Sequence, residues 1–257
     1  MASTQAPTTG MGLTHVRDTE YRELGLVLRS DRKGSESDLV RCFLTELPWD
    51  VPHGSHLTVF EQPRLDSGFP DIVFVLWDTE KTSSWPDQRR ALTPADVRIA
   101  HHLVTSGPAK LAQLLTIFGR WVLDSIARLS AAQMIYCKTG RWRARRLDRI
   151  FAVRQIVAFE AKMDAPSEAL AQASRNRWFA SHSFIIVPKK LRDSRPIRKA
   201  NQFGVGVWSF QSEEWVCHVP SVVESIPRSY ASWLFNEWVW RLAKLTTATL
   251  TGSRRGT

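Results

Sequence analysis

The sequence predicts an α/β core interrupted by an inserted helical module. Three observations predict it. Apolar, β-rich runs stand on both sides of a helical stretch, DIVFVLW at residues 71–77 before it and RQIVAFEAKM at 154–163 after it. The stretch between them shows helical periodicity broken by Gly107-Pro108 and Gly119. Two acids, Asp71 and Glu160, sit inside or beside those apolar runs, where a charge is costly unless it is paired or metal-bound.

Each element follows in order. Residues 1–20 open Ser/Thr/Pro/Gly-rich and read as a disordered tail, as do residues 246–257. SESDLVRCFLTEL (35–47) places Leu39, Val40, Phe43, Leu44 and Leu47 at helical spacing behind a Ser or Asp cap. Alternation at Leu57 and Val59 then predicts a strand, and DSG at 66–68 a tight turn leading into DIVFVLW. TPADVRIAHHLVTSG, PAKLAQLLTIFG and RWVLDSIARLSAAQ read as three helices, and MIYCKTGRWRAR as a hairpin turning at Thr139-Gly140. Three short helices and a hairpin are the outline of a winged helix-turn-helix, with the third helix and the wing facing DNA. Beyond RQIVAFEAKM come a helix over 166–179 with Pro166 in its first turn, the strands SFIIVP and FGVGVWSF, and a Trp-rich helical end whose Trp233, Trp238 and Trp240 bury in the core. The expected domains are a discontinuous core, 21–91 and 150–245, and an inserted module, 92–149.

Composition narrows the class. The 257 residues are 43% hydrophobic and 23% charged, as in an ordinary globular protein. A net charge of +10 predicts attraction to a polyanion, most often nucleic acid. The 3 cysteines are far apart and form no CxxC, which argues against a disulfide framework or a zinc site and fits a reducing cytoplasm. No apolar run approaches the roughly 18 residues of a membrane span, so no membrane association is expected. The start, MASTQAPTTGMG, does not read as a secretory leader.

The chemistry centres on three residues. Side chains alternate across a strand, so Glu160 and Lys162 share a face while Val157, Phe159, Ala161 and Met163 take the other. If the two acidic strands pair, Asp71 and Glu160 can converge on one Mg²⁺, for which Mn²⁺ would substitute. The basic cluster at 138–149 is the densest in the chain. Lys138, Arg141, Arg143, Arg145 and Arg146 flank Trp142, a composition suited to phosphate contact and stacking. Arg120 and Arg128 on the third helix extend it. The partner expected is duplex DNA, although the same hairpin could serve a homodimer.

These residues resemble the PD-(D/E)xK nuclease superfamily. The features come in its order: Glu36 in a first helix, the hairpin TVFEQPRLDSGFPDIVF with Pro70-Asp71, IVAFEAKMD with Glu160-Ala161-Lys162, a helix carrying Gln172, and SFIIVP. The resemblance implies a restriction-endonuclease-like mixed sheet flanked by helices and metal-dependent phosphodiester cleavage. It implies that Asp71 and Glu160 bind the metal, Lys162 serves the attacking water, Gln172 supports the site, and Glu36 lies near the metal. The spacing from Asp71 to Glu160 is longer than in compact members, and the inserted module accounts for it. The rival expectation is a catalytically inactive DNA-binding regulator on the same scaffold, which has no chemical need for Lys162. Glu61 and Asp66 lie in the same hairpin and read as a salt bridge and a solvated turn, or else as extra metal ligands.

Overall fold

The computed structural model describes residues 9–10, 12–16, 25–29, 34–46, 51–164, 166–189 and 194–253. It is an α/β protein with a mixed sheet flanked by helices. The chain divides into two compact units, one of residues 1–22, 26–76 and 154–228, the other of 23–25, 77–153 and 229–257.

The first unit is built on the sheet. Its order is β1 (Thr9–Gly10), β2 (Leu13–Val16), β3 (Ser55–Glu61), β4 (Ile72–Asp78), β7 (Val153–Ala161), β8 (His182–Val187), β9 (Gly206–Gln211), β10 (Glu214–Val219). Strand β2 runs parallel to β3, and β7, β8 and β9 run parallel to one another. The Asp71 carboxylate meets the Ala161 amide, and the Asp78 amide donates to the Ala152 carbonyl at 3.0 Å. Start faces end at both positions, so β4 and β7 are antiparallel neighbours, as the convergence of Asp71 and Glu160 requires.

Helix α1 (Ser35–Glu46) turns its buried Leu39, Val40 and Phe43 onto one face of this sheet. There they meet Ile72, Phe74, Val157, Phe159 and Ala161, with Met163 packed alongside. The Phe43 and Phe159 rings lie 4.9 Å apart. The alternation read for residues 157–163 therefore holds. A second apolar cluster joins Ala169, Leu170 and Ala173 of helix α7 (Pro166–Asn176) to Ile185 and Val187 of β8 and to Ala200 of helix α8 (Ser194–Phe203). Helices α7 and α8 are the crossovers that parallel strands need.

In the second unit the Asp78 carboxylate accepts the Glu80 and Lys81 amides and opens α2 (Thr79–Ser83). A 3-10 turn follows at Asp87–Ala91. Helix α3 (Pro94–Thr105) starts with Pro94 and a reciprocal cap between Thr93 and Asp96. Then come α4 (Leu111–Phe118), α5 (Val122–Ala131), the hairpin β5 (Ile135–Lys138) and β6 (Arg141–Ala144), and α6 (Leu147–Ile150). The hairpin turns where the sequence places it: Thr139 at φ 51° and Gly140 at φ 69° make the two-residue left-handed turn that matches strand twist. Ala109, between α3 and α4, exchanges both backbone hydrogen bonds with Trp142, adding a third extended segment to the hairpin.

Three expectations change. Thr9–Gly10 and Leu13–Val16 are sheet strands rather than part of a tail; residues 1–8, 11 and 17–20 lie outside the described residues. Helix α9 (Tyr230–Ser253) continues eight residues into the stretch read as a C-terminal tail; residues 254–257 are outside the described set. That helix also belongs to the helical unit rather than the core, burying Trp233, Trp238 and Trp240 there, with Trp240 against Trp85 and Ala152. Among the described residues no helix is long and apolar enough to cross a membrane.

Candidate functional site

A cleft of about 450 Å³ opens at the end of the sheet in the first unit. Its lining brings together Glu36 from α1, Asp71 before β4, Glu160 of β7, Lys162 just beyond it, and Gln172 of α7. All five residues singled out for catalysis thus meet in one place, from segments up to 136 positions apart.

Asp71 is anchored by its neighbours. Its Oδ2 accepts the Ala161 amide at 2.7 Å, and its carbonyl accepts the Gln62 amide at 3.0 Å. Glu160 is 4% exposed, and its Oε1 accepts from Asn176 Nδ2 at 2.7 Å. Burial pushes the Asp71 carboxyl above its ordinary range, and the Glu36 charge adds to that. Burial pushes Glu160 well above its ordinary range, with the Asp71 charge as the next cause. The charge of each acid disfavours ionisation of the other, and the Lys162 and Arg175 charges partly offset this.

Lys162 is held from two sides. Its backbone amide donates to the Ile186 carbonyl at 3.1 Å, and its Nζ lies 3.0 Å from Glu36 Oε1. The hydrogen bond to Glu36 raises the Lys162 pKa above its usual value, so the ammonium form dominates. Glu36 therefore steadies Lys162, a contact that its place in the sequence did not reveal.

Gln172 lines the cleft, but the residue bonded to Glu160 is Asn176, one helical turn later. The two share a face of α7, so helical spacing was the available signal. Arg175 on the same helix offers Glu160 a favourable charge. Glu61 also lines the cleft, with its Oε1 2.5 Å from His15 Nε2. Asp66 is exposed in the 65–68 turn.

The donor set suits a hard divalent cation. Two carboxylates lie side by side, both pushed toward protonation by burial, and a cation would relieve that penalty. Among the described residues no three His, Cys, Asp or Glu side chains gather at metal-holding spacing. Two oxygens and several waters fit Mg²⁺ better than the closed N/S shell that Zn²⁺ favours.

The basic residues of the second unit form a separate group. Lys138, Arg141, Arg145 and Arg146 are exposed, Trp142 and Arg143 half-buried. Arg146 pairs with Asp148 at 2.9 Å, and the Arg145 guanidinium lies over the Tyr136 ring. Arg120 is exposed before α5. Arg128 differs from expectation. Its Nε and Nη2 each bond a different oxygen of the fully buried Asp96 at 2.8 Å, which commits it to holding α5 against α3. The outward side of α5 and its approach carries Trp121 and Leu123 rather than a basic row. Compared with known protein families, curated proteins and solved structures, the chain shows no match to any of them.

Proposed function

We propose that the chain is a Mg²⁺-dependent nuclease that hydrolyses phosphodiester bonds in DNA, with a winged-helix module for duplex binding. The observation that carries this reading is the meeting of Asp71, Glu160, Lys162 and Glu36 in one cleft at the ends of two adjacent strands. The order α1, β3, β4, β7, α7, β8 supports a restriction-endonuclease-like core of the PD-(D/E)xK type. Three helices, the Ala109 bridge and the β5–β6 hairpin support the winged helix.

Asp71 and Glu160 would hold the cation. When bound, it lowers the pKa of a coordinated water and neutralises charge growing on the phosphate. Lys162, kept protonated by Glu36, cannot accept a proton from that water. It orients the water and offsets negative charge in the transition state. Asn176 fixes the Glu160 carboxylate, and the Ala161 amide fixes Asp71. The deciding experiment incubates the protein with plasmid, linear duplex, single-stranded DNA and RNA, with Mg²⁺ or with EDTA. Cutting of DNA only with Mg²⁺ is expected. No cutting of any substrate with Mg²⁺ or Mn²⁺ refutes the reading.

The two raised carboxyls give a pH signature. Below the ordinary carboxylate range both folded and unfolded chains hold these protons. Above it the unfolded chain releases them and the folded chain keeps them, at a cost of about 1.4 kcal/mol per pH unit per proton until the raised pKa is passed. Melting of the metal-free protein should therefore fall, relative to Glu160→Gln, as pH rises from about 4 through that raised pKa. Mg²⁺ should recover more stability at high pH than at low pH and release protons on binding. Calorimetry in buffers of different ionisation enthalpy checks the release, and metal uptake without it at neutral pH contradicts the raised carboxyls.

The hairpin gives a second test. Each phosphate contact on duplex DNA contributes about −0.9 to the log–log salt slope. Replacing Arg141, Arg143 and Arg145 with Ala should weaken duplex binding and flatten the slope by up to about 3. Cleavage at saturating DNA should survive. Parallel lines for wild type and variant would remove the hairpin from the interface.

A further inference from the structure

The geometry points to a base-stacking platform beside the candidate metal site, made by Phe69 and Arg29, that takes an unpaired base of single-stranded DNA. This rests on the nuclease reading and names the form the cleft accepts as a single-stranded segment, which can adjoin a duplex held elsewhere on the chain.

Both residues line the same cleft as Asp71, Glu160 and Lys162. The Arg29 guanidinium lies over the Phe69 ring, 5.5 Å from its centre, and the ring is 37% exposed. An aromatic face joined to a cation is the composition that stacks bases without regard to sequence. Phe69 precedes Asp71 by two residues, a chain span of at most about 7 Å. A base on Phe69 therefore belongs to a nucleotide adjoining the phosphate at Asp71.

The platform is built in advance. The Arg29 amide donates to the Gln62 carbonyl at 3.1 Å, and the Arg64 amide to the Val27 carbonyl at 2.8 Å, stitching the two segments together. Leu65 and Gly68 exchange both backbone hydrogen bonds, closing a turn in which Gly68 has φ 124°, a conformation favouring glycine. Pro70 stiffens the link from Phe69 to Asp71 and holds Phe69 extended. Little freedom is lost when a base arrives. A paired base within a duplex already stacks on both sides and has no face to offer. The cleft volume is that of a small-ligand pocket, enough for one nucleotide.

The test measures binding of the full chain in EDTA, so that cleavage does not intervene. The probes are a short single-stranded oligodeoxynucleotide, the same strand with one base removed, and a blunt hairpin duplex, all followed by fluorescence anisotropy. Phe69→Ala should weaken the single strand about tenfold, the loss of one stacked base, and leave the duplex unchanged. Phe69→Trp should retain single-strand binding. Removing the base at the matching position should cost wild type the same factor and cost Phe69→Ala nothing more. Phe69→Leu, which keeps apolar volume, should fall with Phe69→Ala if stacking is the contribution, and thermal melts confirm that both variants fold. An unchanged single-strand affinity, an equal loss for the duplex, or no measurable single-strand binding by wild type overturns the platform. Cleavage is read separately: a protein that binds through Phe69 but never cuts loses the nuclease reading, and one that cuts regardless of Phe69 loses only the platform.

Discussion

Asp71→Asn and Glu160→Gln should each abolish DNA cleavage while leaving the metal-free protein folded and, at pH 8, more stable than wild type. Either change removes one of the two protein carboxylates available to a cation. Metal stabilisation of the transition state amounts to several kcal/mol, and each 1.36 kcal/mol is tenfold in rate, so a loss of about 10³ or more is expected. The fold survives because a side-chain amide keeps the shape of the carboxyl it replaces. In Asp71→Asn an oxygen remains to accept the Ala161 N–H. In Glu160→Gln an oxygen remains to accept from Asn176. Lys162→Ala should lower turnover far more than DNA affinity, since a cation acting mainly on the transition state contributes little to ground-state binding. Wild-type cutting by either carboxylate variant would remove Asp71 and Glu160 from the chemistry.

Arg89→Met should cost the helical unit about 3–5 kcal/mol, the scale for breaking one side of a buried ion pair. Arg89 is 1% exposed and Glu237 2%. The guanidinium meets both Glu237 oxygens, at 2.9 and 2.7 Å, donates to the Ile150 carbonyl at 2.6 Å, and stacks on Trp85 with 3.5 Å to the ring centre. Asn236 extends the network, accepting the Ala152 amide at 2.8 Å and donating to Glu237. Met fills the volume but leaves a buried carboxylate without its cation. Arg89→Met with Glu237→Leu should recover much of the loss, because removing both charges removes the orphan. Urea melts of the two single variants and the double variant measure the coupling. A loss below about 1 kcal/mol in Arg89→Met would show that water or neighbours satisfy Glu237 without it.

The readable elements were those with strong periodicity. DIVFVLW and RQIVAFEAKM announce buried strands because every position or every second position is apolar. Thr93, Pro94 and Asp96 announce the start of α3 through cap chemistry, and Thr139-Gly140 announces a hairpin turn. Strand β2 is only four residues in a Thr-rich stretch, where local composition is outweighed by pairing with β3. Helix α8 was missed because SRPIRKANQF has only Ile197 and Ala200 to mark an inward face. The assignment of α9 to the helical unit rests on tertiary partners such as Trp85, which no local pattern encodes. In the site, Asp71, Glu160 and Lys162 were legible because charges in apolar strands are conspicuous. Asn176 was not, being a common polar residue in a helix. Arg128 misled for the opposite reason: its charge suggested a phosphate, and only the fold reveals that the acid it serves is buried Asp96.

The Asp78–Ala152 hydrogen bond closes the neck of the inserted segment, and this bears on the order in which the molecule assembles. Asp71 and Ala161 are separated by 90 positions. Closing so long a loop in an unfolded chain is entropically costly and slow. The segment between is mostly helical, and its helices are joined by short turns and close largely through local contacts, with α9 completing the unit from beyond β7. Once it has folded, its two ends stand side by side, and β4 and β7 leave it as if they were consecutive strands of a hairpin. The meeting of the two carboxylates then becomes a short-range event. A lesion in the Arg89–Glu237 network would delay that meeting without touching either acid, so a chain slow to regain activity after dilution from denaturant could still possess, at the end, an unaltered site.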